Sequence, residues 1–90
     1  MRQRGSEQMA LVTLYGKPGC HLCDGARAAV QRVHARRSFE LEEVDVSLDP
    51  VLYSEYGERI PVLALDGVEL FEFHVEEAVL VQELDRVDGS

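Results

Sequence analysis

The cysteines of this chain, Cys20 and Cys23, stand in a C-x-x-C spacing inside Lys17-Pro18-Gly19-Cys20-His21-Leu22-Cys23. An apolar, β-prone run, Leu11-Val12-Thr13-Leu14-Tyr15, leads in, and a helix-like stretch from about Cys20 leads out. Strand, tight turn and helix start together make sulfur reactive. Amide N–H groups at a helix N-terminus lack intrahelical partners and carry partial positive charge. A thiolate placed there is stabilised, which draws a cysteine pKa from about 8.5 toward about 3.5–7.5. A thiol three residues later lies one turn away on the same side. It can attack a mixed disulfide formed by the first.

Other readings of the same pair stand beside this one. Tetrahedral zinc needs four ligands. The chain has no second C-x-x-C, and His21, His34 and His74 form no H-x-x-x-H pair, so the expected metal set is none. Inert core cysteines are a second reading, but they leave the Gly/Pro turn unexplained. The pair also suits an iron–sulfur or copper module bridged between two chains, or a docking protein whose thiols no longer turn over. His21, if protonated, favours a Cys20 thiolate; a neutral, solvent-facing His21 does not.

Ninety residues make one domain, residues 1–90, with residues 1–8 and 88–90 read as flexible ends. Nine basic against seventeen acidic residues give a net charge of −8, a field that repels phosphate backbones and argues against nucleic-acid binding. No apolar run approaches the roughly 20 residues of a membrane span. Met1 to Gln8 lacks the apolar core of a secretory signal. The expected compartment is the cytoplasm, where a C-x-x-C is catalytic more often than structural. Nothing in the composition demands more than a monomer.

The elements that must position the cysteines follow in order. Met9 to Tyr15 reads as a central strand covered on both faces. Cys20 to about Arg36 reads as a helix, with Leu22, Ala26, Ala29, Val30 and Val33 as its apolar stripe. Gly25 in its interior suggests close approach of another backbone. Arg27, Arg32, Arg36 and Arg37 read as a solvated face, the last two complementing the helix dipole. Phe39 to Val46 alternates and shifts phase after Glu43, which predicts a strand with a bulge at the shift. Ser47 or Asp49 caps a short helix with Pro50 at its start, Val51, Leu52, Tyr53 and Tyr56 on its buried side, and Gly57 at its end. Arg59 to Leu65 is a strand beginning near Pro61, Asp66-Gly67 a two-residue hairpin, and Val68 to Phe73 its partner. Val75 to Val87 closes as a helix through Val75, Ala78, Val79, Leu84 and Val87. The order is β-α-β-α-β-β-α. A helical crossover makes the first two strands parallel, and the last two form a hairpin. The fold class is α/β, a mixed four-stranded sheet flanked by helices.

This pattern resembles the thioredoxin superfamily, and within it the small glutaredoxin-like proteins. The resemblance is carried by Leu14-Tyr15-Gly16-Lys17-Pro18-Gly19, by Cys20-His21-Leu22-Cys23, by Tyr56-Gly57-Glu58-Arg59-Ile60-Pro61-Val62-Leu63 and by the Asp66-Gly67 hairpin. It implies a thioredoxin-like fold and a thiol–disulfide oxidoreductase. Cys20 would attack and Cys23 resolve, and Pro61 would be a cis-proline facing them. The Ile60 backbone would pair with an extended peptide or with glutathione. Lys17 and Arg59 would meet a substrate carboxylate, and His21 would modulate Cys20. The implied partners are a disulfide-bearing protein or glutathione, with a thioredoxin- or glutathione-reductase system supplying electrons. No cofactor is implied beyond glutathione as co-substrate. The departures point to a protein disulfide as the better substrate. No Trp precedes the cysteines, Leu22 replaces the usual aromatic, and Phe73-His74-Val75-Glu76 stands where a glutathione clamp would be. His74 reads as a loop residue. The first strand holds no carboxylate that could act as a buried base.

Overall fold

A computed structural model describes residues 9–89, so the expected frayed lead-in, residues 1–8, and Ser90 lie outside the described residues. The elements are β1 (Leu11–Gly16), α1 (His21–His34), β2 (Glu40–Asp45), a 3-10 turn (Val46–Leu48), α2 (Pro50–Tyr56), β3 (Val62–Leu65), β4 (Val68–Glu72) and α3 (Glu77–Gly89). The strand order is β2-β1-β3-β4. β1 runs parallel to β2 and antiparallel to β3, and β3 runs antiparallel to β4. This is the expected mixed sheet, with the strand before the motif at its centre.

Side-chain alternation along β1 sorts the core into two parts. Val12 and Leu14 join Ala26, Ala29, Val30 and Val33 of α1 and Leu80 and Leu84 of α3 in the larger cluster. Tyr15 turns to the other face, where Val46, Ile60, Leu52 and Tyr56 gather around Cys23. The motif therefore sits where the two parts meet at the end of β1.

Several local expectations are corrected. Leu22 is 56% exposed and Cys23 takes its place in the α1 stripe, because Cys23 is the residue on the arc with Ala26 and Val30. Gly25 meets no other backbone among the described residues. The β1–β2 register runs unbroken from Leu11↔Glu40 to Gly16↔Asp45, so β2 carries no bulge. Its phase shift marks the end of the strand, where Asp45 caps the 3-10 turn and Val46 is buried. The irregularity lies in β3–β4 instead, where Leu63↔Phe71 is followed by Ala64↔Glu69.

Asp49, not Ser47, caps α2, accepting from the Val51 and Leu52 amides at 2.8 and 3.4 Å. Val51 and Tyr53 are 75% and 45% exposed. A seven-residue helix presents one row to the sheet, and that row is Leu52 and Tyr56. Gly57 ends α2 in the right-handed region, and a β-carbon there would lie 2.5 Å from the Tyr53 carbonyl oxygen. Ala78 and Val79 of α3 are exposed, Leu80 and Leu84 are its buried pair, and the helix continues to Gly89 through part of the expected tail. α1 stops at His34, short of Arg36.

Asp66 and Gly67 take φ of 50° and 86°, the left-handed pair of a tight hairpin. The Asp66 carboxylate accepts from the Leu11 amide at 2.9 Å and ties the hairpin to β1. The arginines of α1 and its following turn are partly solvated but paired. Arg27 meets Glu43, Arg32 and Arg36 meet Glu77, and Arg37 meets Asp85. Exposed pairs contribute at most about 1 kcal/mol each. They bridge α1 and its following turn to β2 and α3.

Candidate active site

Cys20 occupies the N-cap of α1 in extended conformation. Its Sγ accepts from the Cys23 amide at 3.2 Å, and its carbonyl accepts from the Asp24 amide at 3.0 Å. A cysteine thus performs the capping that Ser or Asp usually performs. The first-turn amide aims its partial positive charge at the sulfur. Cys20 is partly exposed, whereas Cys23 is 1% exposed. The two free thiols therefore divide, one presented and one covered.

Cys23 lies over Gly16, whose missing side chain makes room for the sulfur. Burial first, and then its hydrogen bond with the Cys20 sulfur, push the Cys23 thiol up to about 11; the Lys17 backbone amide and the charge of Arg27 pull the other way. A cavity of about 270 Å³ opens behind this thiol, between the ends of β1 and β2 and the first turns of α1. Leu14, Gly16 and Cys23 line it together with Lys17, Arg27 and Glu43.

The other residues singled out from the sequence fall around this centre. Ile60 packs in the cluster that holds Cys20 and Cys23. The Ile60–Pro61 bond is cis, as the resemblance implies, and Pro61 is fully buried. Lys17 stands beside the cavity, its Nζ 5.6 Å from the Tyr53 ring centroid. Arg59 lies over Tyr56 and is ringed by carboxylates, at 2.9 Å from Glu69, 2.7 Å from Glu72 and 3.4 Å from Glu55. This pairing raises the Arg59 pKa and holds the Glu69 carboxyl below its usual range. His21 is exposed and lines a different groove with Leu22, Phe73 and His74.

Three contributors escape a reading by motif alone. Gly16 shapes the seat of Cys23. Arg27 is one turn beyond Cys23 on the same helix face, a spacing visible in the sequence. Tyr15 stacks on Tyr56 with centroids 4.1 Å apart, forming a wall of the cysteine cluster, and burial foremost raises the Tyr15 pKa.

A family model described as a glutaredoxin-like domain (DUF836) matches residues 11–85, from the first residue of β1 to the last turns of α3. The chain belongs to the glutaredoxin-like family. Among solved structures, it is similar to a structural-genomics target protein from X. campestris, at 36% identity and a TM-score of 0.69, over 83% of this chain and 96% of that one. An uncharacterized protein of Mycobacterium tuberculosis is 29% identical over 80 residues, 83% of this chain and 82% of the relative. A thioredoxin mutant from Halobacterium salinarum aligns at 22% identity and a TM-score of 0.69, over 92% of this chain and 78% of that one. That likeness concerns the fold. The glutaredoxin-like chain has a thioredoxin fold, with its cysteine pair at the end of the central strand. Among the described residues no helix is long and apolar enough to cross a membrane, and no group of three or more His, Cys, Asp or Glu is arranged to hold a metal ion.

Proposed function

We propose that the protein is a dithiol–disulfide oxidoreductase of glutaredoxin type, acting in the cytoplasm. The observation that carries this reading is the hydrogen bond from the Cys23 amide to Cys20 Sγ, made at the presented end of α1. Cys20 thiolate attacks one sulfur of a substrate disulfide and breaks that bond, so a mixed disulfide forms and the first substrate thiolate leaves. Cys23 loses its proton and attacks Cys20 Sγ, which releases the second thiolate and leaves a Cys20–Cys23 disulfide. Two electrons pass from the dithiol to the substrate. Glutathione, or a thioredoxin- or glutathione-reductase system, restores the dithiol.

The surroundings support a protein disulfide as the substrate. The groove that begins at His21, the residue after Cys20, carries exposed Leu22 and Phe73. Apolar surface of this kind suits a polypeptide flank. The Ile60 backbone would pair with an extended peptide, as the family resemblance implies. In this reading Lys17 supplies a cation at the mouth. Arg59 is held by its carboxylates and shapes the wall, and His21 modulates Cys20.

Two assays test the proposal. Insulin reduction by dithiothreitol should be accelerated by the protein and not by Cys20→Ser. A small disulfide coupled to glutathione and its reductase should be turned over more slowly than the protein disulfide. Absence of acceleration in both assays would leave a fold without the activity.

A further inference from the structure

The resolving step asks a buried thiol to give up a proton and become an anion. Cys23 is 1% exposed, which opposes that charge. In the mixed disulfide, Cys20 is covalently occupied and carries no charge, so its two opposing influences on Cys23 end there. The groups that then face Cys23 can be named element by element. The turn supplies Lys17, with its amide on the sulfur; α1 supplies Arg27; and β2 supplies Glu43 and Asp45. Across the smaller cluster stand the phenol rings of Tyr15 and Tyr56.

Arg27 is the one of these placed to help. It follows Cys23 by one helical turn and lines the same cavity. Its guanidinium is fixed, Nε 2.8 Å from Glu43 Oε1 and NH1 3.0 Å from Asp24 Oδ1. Asp45 has another task, accepting from the amide and hydroxyl of Ser47 at 2.9 and 2.6 Å. We propose that Arg27, clamped by Glu43 and Asp24 over the cavity behind Cys23, is the positioning charge that lets Cys23 ionise and close the disulfide. The cavity is large enough for water to carry the proton out to solvent. The inference rests on the dithiol reading above and adds a residue that the C-x-x-C motif does not specify.

Stopped-flow reaction of the reduced protein with excess dithiobis-nitrobenzoate separates the two steps. Cys20 attacks the aromatic disulfide and releases one thionitrobenzoate, at a rate proportional to reagent. Cys23 then displaces the second from Cys20, at a rate independent of reagent. Arg27→Gln should leave the first phase within about 2-fold and slow the second by about 3- to 10-fold near pH 7, its rise moved to higher pH. Arg27→Lys keeps the positive charge and should recover most of the loss. Arg86→Gln, which removes the same charge from an exposed pair with Glu83 on α3, should change neither phase.

The inference is overturned if Arg27→Gln matches wild type from about pH 6 to pH 9, or slows the second phase equally at every pH. It is also overturned if Arg27→Lys is as slow as Arg27→Gln, or if Arg86→Gln reproduces the effect. A wild-type protein with no first phase overturns the dithiol reading itself, and this inference with it.

Discussion

Gly16 and Cys23 meet with no room for another atom: a β-carbon on Gly16 would lie 3.0 Å from Cys23 Sγ and 3.3 Å from its Cβ. Gly16 ends the central strand and Cys23 is in the first turn of α1, so this one approach sets how deep the second thiol sits. Gly16→Ala should lower the stability of the reduced protein by about 1–3 kcal/mol, the range for overpacking a tight site. Denaturant midpoints measure it. If the cause is the sulfur, adding Cys23→Ala should recover part of the loss, and the two changes will not be additive. Additive losses would place the strain elsewhere.

The raised Cys23 pKa predicts an alkaline weakness of the reduced protein. The folded value is about 11, against an ordinary value of 9.0. Between these values the unfolded chain has released the thiol proton and the folded chain still holds it. Stability therefore falls as pH rises through this window, and is fully present below it. The loss is of order 2–3 kcal/mol at its upper end. Cys23→Ala should remove this component. Tyr15 is also raised from its ordinary value and adds an alkaline component of its own, so the comparison is best made in a Tyr15→Phe background. Identical alkaline slopes with and without Cys23 would contradict the burial argument.

Asp49 holds the start of α2, and α2 carries the Leu52 and Tyr56 that wall the cysteine cluster. Asp49→Ala should cost about 1 kcal/mol, and Asp49→Asn much less, because Asn caps as well as Asp. In a domain of this size that corresponds to a fall of roughly 4–8 °C in Tm for the alanine variant. Equal losses for both variants would point to the carboxylate charge rather than the cap.

Much of the fold was legible because the strongest local signals agree with the tertiary answer. Asp66-Gly67 permits one kind of turn, Pro61 precedes a strand, and an apolar run before a Gly/Pro turn makes a central strand. The misread residues share a cause. Leu22, Val51, Tyr53 and Val79 are apolar at near-helical spacing, yet each is exposed, since a helix on a sheet buries only one narrow row. The cysteine pair was visible as a spacing. Its surroundings were visible only in part: Arg27 follows Cys23 by one helical turn, but Gly16 and Glu43 join them only through the β1–β2 register and the start of α1. The ring of carboxylates around Arg59 was hidden likewise, Glu69 and Glu72 lying ten or more residues away along the chain.

The unequal exposure of the two sulfurs gives the sharpest mutational contrast. Cys20 is partly open and is the sulfur that an incoming disulfide would meet in the proposed reaction, while Cys23 is covered. Cys23→Ser keeps the attacking thiol and removes the only internal way of releasing the product. That variant should accumulate a stable mixed disulfide through Cys20 with an oxidised protein substrate, read as a mass adduct lost on reduction. Cys20→Ser leaves a thiol that the substrate cannot approach and that is reluctant to ionise, so it should form little adduct under the same conditions. The same change also removes the sulfur that accepts from the Cys23 amide, although Ser is a good N-cap and should keep α1 intact. Adducts of similar yield in both variants would mean that the sulfurs are equally accessible. The order of attack derived from the helix N-cap would then be wrong.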